Sequence, residues 1–201
     1  MITILIIVVT AIFSIAAFSR PELMYRYNLN PYQIVHRRQW YRLFTHAFLH
    51  ANWEHLIINM LVFYSFGQAL EYYFHHFIGT NSTLLFLVLY FGAIVVSSVF
   101  TLFKEKDNPH YNAVGASGAV SAVTFASIFF APLSKIYFMA IVPIPGIMFG
   151  LLYLGYSYYM GKKNIDNIGH DAHFWGAVFG FVFPILIKPN LFSHFINQLF
   201  P

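Results

Sequence analysis

The chain has 201 residues, of which 59% are hydrophobic and only 9% are charged. A soluble domain carries about 25% charged residues, and 18 charged side chains (11 basic plus 7 acidic) cannot cover a globule of this size. Aromatic residues reach 20% and the mean hydropathy is +0.63, both of which are typical of a chain that faces lipid. We therefore predict an all-α polytopic membrane protein.

The formal net charge of +4 comes from 11 Lys and Arg against 7 Asp and Glu, without a run of basic residues. We interpret the excess as attraction to the anionic head groups of the lipid bilayer, and we expect no nucleic-acid partner. The chain has no Cys, which excludes disulfides, thiolate catalysis and Cys-metal sites. No feature of the sequence indicates an oligomeric state.

The gaps between charged residues leave room for six membrane-spanning helices, since a helix needs about 20 apolar residues to cross the hydrocarbon. We predict a single membrane domain, residues 1–201, with Pro143 and Pro145 producing a kink or irregularity in the fifth span. A signal peptide is the alternative for the first span, but no Lys or Arg precedes its apolar run. The predicted spans are residues 2–18, 53–74, 82–103, 112–131, 136–160 and 172–187.

Polar residues lie near the start of each even-numbered span: His55 in span two, Ser117 in span four and His173 in span six. Even-numbered spans all run in the same direction, so their starts share one side of the membrane. Polar groups inside a membrane are costly and are candidates for a functional site. The span count alone therefore brings these three side chains to one level.

Small residues indicate which spans touch. Gly118, Ala122 and Ala126 recur every fourth residue in span four, and Gly176 and Gly180 form a G-x-x-x-G pattern in span six. Such strips let helix backbones approach closely in lipid. If these two spans pack together, Ser117 and His173 reach hydrogen-bond distance, and a Ser beside a neutral His is a nucleophile with its general base.

Acyl transfer also needs donors for the developing oxyanion. Backbone N–H groups around Ser117, at the start of span four, lack partners within the helix. His55 and Asn59 lie one turn apart on one face of span two and add side-chain donors. Asp171 lies only two residues from His173 and points elsewhere on a helix, so we predict a Ser–His dyad without an orienting carboxylate.

Four motifs resemble those of the rhomboid intramembrane serine proteases, in the family's order. G-A-S-G at residues 115–118 is similar to the nucleophile motif G-x-S-G, and A-H-F-W-G-A-V-F-G at residues 172–180 is similar to A-H-x-x-G-x-x-x-G. H-A-N-W-E-H-L-I-I-N at residues 50–59 resembles the second-span pattern of two His followed by Asn. W-Y-R at residues 40–42 resembles the W-R of the first loop. The likeness covers about residues 36–180.

The resemblance assigns a role to each matching residue. It makes Ser117 the nucleophile, His173 the general base, and His55 and Asn59 the donors on the oxyanion side. It makes Arg42 structural, and the remaining supporting positions are His50, Gly115, Gly118, Gly176 and Gly180. The family often has an aromatic residue four positions after the nucleophile, packed against the base. Because that position is Ser121 here, the resemblance predicts that Trp175 or another neighbouring ring holds His173.

The resemblance also implies a six-transmembrane-helix bundle that needs no cofactor and no metal. It implies cleavage of the transmembrane segments of membrane-protein substrates in a water-filled cavity. We expect a multi-pass protein of the bacterial inner (plasma) membrane, with its active site open to the non-cytoplasmic side. Charge favours the opposite orientation, because nine of the eleven Lys and Arg lie in loops one, three and five, and positive loops usually stay in the cytoplasm.

Three alternatives stay open from the sequence. A histidine-rich membrane metalloenzyme of the di-iron type is one, since His46 and His50, and likewise His170 and His173, have spacings that suit a metal. A catalytically inactive rhomboid-like binding protein is the second. A transporter is the third, with Pro143 and Pro145 marking a discontinuous helix.

Overall fold

The computed structural model describes residues 1–138, 141–163, 165, 166 and 168–200, and it is predominantly helical. A 3-10 turn, His46–Phe48, follows α4, and two strands, β1 (Lys135–Phe138) and β2 (Val142–Pro145), precede α8. The α-helices are α1 (Ile2–Phe18), α2 (Pro21–Tyr27), α3 (Pro31–Arg37), α4 (Arg42–Thr45), α5 (Trp53–Ile78), α6 (Ser82–Glu105), α7 (Ser117–Phe130), α8 (Gly146–Lys163), α9 (His170–Ile187) and α10 (Leu191–Leu199).

Helix α7 lies at the centre of the bundle. Every residue from Gly118 to Phe130 is buried, because α5, α6 and α9 all pack against α7. A helix that is apolar all round suits such a position. Fully buried aromatic side chains from the surrounding helices complete the core, among them Phe63, Phe74, Phe86 and Tyr90.

Each predicted span contains a helix, although the boundaries differ. Helices α6 and α9 are long and apolar enough to cross a membrane by length and hydropathy, and α1 and α7 are shorter apolar helices. Helix α7 begins at Ser117 and not at residue 112, because Ala113 forms a backbone pair with Leu29 instead of a helical turn. The helical bundle is therefore observed, and the count of six spans stays a prediction.

The prediction of a helix from the start of the fifth span, residues 136–160, was wrong. Strands β1 and β2 form an antiparallel hairpin there, with Ile136 opposite Ile144, and positions 139 and 140 of this span lie outside the described residues. Pro143 and Pro145 lack the N–H that a helix interior needs, whereas a strand at a sheet edge tolerates Pro. Helix α8 begins only at Gly146, so the all-α class is corrected to predominantly helical with one hairpin. Helix α10 lies outside the predicted spans.

Loop one, residues 19–52, is tied to the segment before α7. The N–H groups of Leu29 and Ala113 donate to each other's carbonyl oxygens at 2.8 and 3.0 Å. The side-chain amides of Asn28 and Asn30 both donate to Asn112 Oδ1, at 3.0 and 3.1 Å. These bonds join parts of the chain about 80 residues apart and fix the approach to Ser117.

Candidate active site

Helices α7 and α9 meet backbone to backbone. A Cβ atom added to Gly176 would overlap the backbone of Gly118, and one added to Gly180 would overlap the backbone of Ala122. A Cβ on Gly118 would lie 3.3 Å from the carbonyl oxygen of Ala172. Ser117 directly precedes Gly118, and His173 directly follows Ala172. The two predicted catalytic residues therefore flank this contact between α7 and α9.

Ser117 is the first residue of α7 and is half-buried. Its backbone N–H lies in the first turn of the helix, where N–H groups have no partner within the helix and carry the positive end of the helix dipole. The preceding turn depends on Gly115, whose φ of +130° is one that L side chains rarely adopt. The Gly115 N–H donates to the carbonyl oxygen of His46 at 3.0 Å, which holds this turn against loop one.

His55 lies over the same turn. A Cβ on Gly115 would come within 2.8 Å of His55 Cε1 and 3.8 Å of Ser117 Oγ, so glycine leaves room for the imidazole beside the hydroxyl. Asn59 lies one turn further along α5 and is buried, with its side-chain amide donating to the His55 carbonyl oxygen at 2.9 Å. The structure thus brings His55 to Ser117 and places Asn59 one turn behind it.

His173 is held by aromatic rings from α8 and α9. The ring of Tyr153 stacks on the imidazole, with centroids 6.2 Å apart and planes inclined by 27°. His170 meets it edge-on at 5.9 Å. Trp175 does not hold His173, since its ring packs against Phe100 and Phe174. Trp175 was therefore the wrong choice of ring, because position 175 faces α6.

The Ser117 hydroxyl and the His173 imidazole are not hydrogen bonded to each other within the described residues. Catalytic hydrogen bonds are often long or poorly aligned in the absence of substrate and tighten in the complex. Ser117 and His173 are therefore two half-buried residues at the contact between α7 and α9, and His55 lies beside the turn at Gly115.

His46 and His50 are buried in loop one and bonded to protein groups. His46 Nδ1 lies 2.9 Å from the Arg42 carbonyl oxygen, and His50 Nδ1 lies 2.9 Å from Ser14 Oγ. Burial lowers the pKa of His46 to about 4, while burial and the neighbouring His55 lower the pKa of His50 to about 3. Both imidazoles are consequently neutral at pH 7, and each serves as a neutral hydrogen-bonding group of loop one.

Arg42 lies away from Ser117, inside loop one, and only 4% of it is exposed. Its guanidinium donates to the carbonyl oxygens of Tyr25 and Asn28, both at 3.0 Å, and to Gln39 Oε1 at 2.7 Å. These bonds close loop one on itself. Arg42 therefore contacts the backbone that supports the site and not the site itself.

Sequence reasoning missed two side chains around the predicted site. Tyr153 stacks on His173, and Ser97 lies against Gly118. No motif marks Tyr153, and the only sequence signal was the small residue at position 121, which left space for a ring from elsewhere. Ser97 and Ser98 are adjacent in the third predicted span. Two neighbouring hydroxyls in an otherwise apolar span were the sequence signal for a polar contact there.

A comparison with protein-family models matches residues 37–190 to the Rhomboid domain. The chain belongs to the rhomboid family. The match covers the whole arrangement described above, from Arg42 to Gly180, and confirms the resemblance found in the motifs. Membership makes the chain an integral membrane protein of a family that includes proteases acting within the bilayer.

Curated relatives of the chain come from a bacterium and a plant. The chain is 27% identical over 146 residues to "Rhomboid protease GluP" of Bacillus subtilis (strain 168) and 31% identical over 171 residues to "RHOMBOID-like protein 1" of Arabidopsis thaliana. It is 27% identical over 150 residues to "RHOMBOID-like protein 12, mitochondrial" of the same plant. The matches cover 73%, 78% and 67% of this chain, but only 26%, 37% and 43% of those relatives.

Proposed function

We propose that this protein is an intramembrane serine endopeptidase that cleaves transmembrane segments of membrane-protein substrates with a Ser117–His173 dyad. The observation that carries the proposal is the backbone contact of Gly118 with Gly176, which sets the start of α7 beside the start of α9. A nucleophile and a base 56 positions apart in the sequence then become neighbours. The protease name of one bacterial relative supports the same reaction.

The first half of the reaction acylates Ser117. Its Oγ attacks the scissile carbonyl carbon and forms the C–O bond, while His173 accepts the hydroxyl proton. Negative charge develops on the carbonyl oxygen, and the backbone N–H of Ser117 donates to it. His55 and Asn59 provide further donors from α5. When the C–N bond breaks, His173 gives its proton to the leaving amine, and the acyl-enzyme remains.

The second half returns the enzyme to its starting state. A water molecule attacks the acyl carbon while His173 accepts its proton, and the oxyanion is held by the same donors. Collapse releases the new carboxyl terminus and restores the proton to Ser117 Oγ. Each proton that His173 takes is thus returned within the cycle, so the reaction needs only water as a co-reactant.

Removing either member of the dyad tests this function directly. We expect Ser117→Ala and His173→Ala to lower the cleavage of a single-span substrate in lipid vesicles by about a thousandfold or more. Asn59→Ala should lower turnover less, by roughly tenfold, because Asn59 lies one turn behind His55. A fluorophosphonate probe should label Ser117 in the wild type, which a histidine-rich metalloenzyme would not explain. Cleavage by Ser117→Ala at the wild-type rate would contradict the assignment.

We also propose six spans in a plasma membrane, with the starts of α5, α7 and α9 on the non-cytoplasmic side. Because the chain lacks Cys, single cysteines report orientation without background. We expect an impermeant maleimide to label Lys106→Cys, in the loop before α7, on intact bacterial cells. Thr80→Cys, in the loop between α5 and α6, should react only after permeabilisation. The reverse pattern would show that the basic loops lie in the cytoplasm.

A further inference from the structure

Tyr153 of α8 occupies one face of the His173 ring. The centroid separation of 6.2 Å and the interplanar angle of 27° describe an offset stack, an arrangement that aromatic pairs favour at separations of about 4.5–7 Å. Among the described residues, no carboxylate is hydrogen bonded to His173. Ring packing is therefore what restrains the orientation of this imidazole.

The Tyr153 ring is itself anchored to α7. Its hydroxyl lies 2.5 Å from Ser121 Oγ, and Ser121 is buried, with 6% of its surface exposed. Phe125, one turn further along α7, packs against the same ring at 5.6 Å, and Phe149 stacks on it from α8 at 5.9 Å. The ring is held at its hydroxyl end and along its sides.

Ser121 follows Ser117 by four residues, so both hydroxyls lie on one face of α7 in successive turns. The first turn carries the nucleophile, and the next turn carries the anchor of the ring that stacks on the base. A displacement of Ser117 relative to His173 is therefore opposed by the bond between Ser121 and Tyr153. Ser117 and His173 are thus connected by two sets of contacts, one through Ser121 and Tyr153 and one through Gly118.

We propose that Tyr153 is a positioning residue for His173, anchored by the Ser121 hydroxyl, and that it keeps the imidazole aligned to accept the Ser117 proton. This inference rests on the proposed function. A positioned general base contributes about 10²- to 10⁴-fold to a rate, and that contribution requires a fixed ring orientation. Because Tyr153 belongs to α8, the alignment of the base depends on α8 remaining packed against α7.

The test compares variants that remove the ring with variants that remove only its anchor. We expect Tyr153→Leu to lower kcat by about ten- to a hundredfold at unchanged KM, since the base loses alignment while substrate binding is retained. Tyr153→Phe and Ser121→Ala each remove the same hydrogen bond, so each should lower kcat by roughly three- to tenfold. Their double variant should be no slower than either single variant.

Two further readouts separate positioning from folding. Fluorophosphonate labelling of Ser117 needs no transmembrane substrate, so the Tyr153→Leu rate of labelling should fall by the same factor as kcat. Tyr159→Leu is the matched control on α8, because Tyr159 is 54% exposed and packs against Lys163 and not against His173. It should keep wild-type kcat and the wild-type labelling rate.

The inference is overturned if Tyr153→Leu keeps wild-type kcat and labelling, or if the losses of Tyr153→Phe and Ser121→Ala multiply in the double variant. Should Tyr153→Leu fail to fold, the two anchor variants and their combination decide. Ser117→Ala runs in parallel. If it is inactive while Tyr153→Leu is fully active, only the positioning role fails; if it cleaves normally, the proposed function fails.

Discussion

Helices α8 and α9 both pack against α7, but they do so by different means. Helix α9 approaches through Gly176 and Gly180, which face the backbone of Gly118 and Ala122 with no side chain between them. Helix α8 approaches through side chains, chiefly the ring of Tyr153 against Ser121 and Phe125. One contact is fixed by the backbone, and the other is made of groups that can rotate.

The two contacts therefore control different properties of the predicted site. The distance between Ser117 and His173 depends on the α7–α9 contact, where an added methyl group cannot be accommodated because protein interiors are close-packed. The orientation of the His173 ring depends on the α7–α8 contact, where the Tyr153 ring and the Ser121 hydroxyl can adjust. The glycines of α9 set the distance between Ser117 and His173, and the Tyr153 ring sets the orientation of the His173 ring.

The largest effect is expected from a methyl group placed in the α7–α9 contact. Gly176→Ala should lower the free energy of unfolding by about 3 kcal/mol or more, since the added Cβ meets backbone that cannot rotate away. Cleavage should fall with it, by at least about a hundredfold, as α9 moves off α7. SDS titration in micelles measures the stability, and vesicle assays measure the cleavage.

Gly155→Ala is the matched control for that substitution. A Cβ at Gly155 of α8 would meet nothing within 4 Å, so the same chemical change should leave stability unchanged or raise it by up to about 1 kcal/mol through helix propensity. Equal losses for Gly176→Ala and Gly155→Ala would show that the α7–α9 contact is not special.

An intermediate effect should come from pH, because burial in loop one lowers the pKa of His46 and of His50. The pKa of His50 falls to about 3 and that of His46 to about 4, against about 6.5 in the unfolded chain. Below about pH 6.5 the unfolded state binds more protons, so stability falls as pH drops, by about 1.4 kcal/mol per pH unit for each group, until the folded pKa is reached.

Replacing one histidine measures how much that residue contributes to the pH dependence of the unfolding free energy. His50→Gln should make the dependence of unfolding free energy on pH shallower between about pH 6 and about pH 4, by roughly 1.4 kcal/mol per unit. SDS titrations at a series of pH values give both slopes. Identical slopes for the wild type and His50→Gln would mean that His50 is not held neutral in the folded protein.

The smallest effect is expected at Gly150, in the α7–α8 contact. A Cβ there would lie 3.3 Å from a ring carbon of Phe125 and 3.8 Å from the Cδ1 of Ile128, and both are ends of side chains that can shift. Gly150→Ala should therefore change the free energy of unfolding by less than about 1 kcal/mol, with helix propensity offsetting the crowding. A loss as large as that of Gly176→Ala would remove the distinction between the two contacts.

Much of this arrangement could be predicted from the sequence. The direction of each span determines which residues share one side of the membrane, and the spacing of small residues determines which helices can pack closely. Three even-numbered spans place His55, Ser117 and His173 at one level, and the pattern at Gly176 and Gly180 predicts the close contact that the structure shows. The family could be recognised from the same residues and is confirmed over residues 37–190.

Other features had no signal of that kind. An apolar run without clear periodicity fits a helix or a strand, so the hairpin segment falls within a predicted helix although Pro143 and Pro145 favour a break. The stack of Tyr153 on His173 depends on how α8 and α9 pack, and no pairwise spacing in the sequence encodes that packing. The bonds of loop one to the segment before α7 are likewise long-range pairings of residues that belong to no motif.

Those loop-one bonds determine when the turn before Ser117 can form. The backbone pairing of Leu29 with Ala113 and the bond from Gly115 to the His46 carbonyl each close a long stretch of chain, and contacts between distant segments are slow to form. The turn before Ser117 therefore forms only after loop one has docked against it. In a polypeptide still entering the bilayer, the turn at Gly115 and Ser117 is unassembled, so the proposed protease gains its active site late in folding.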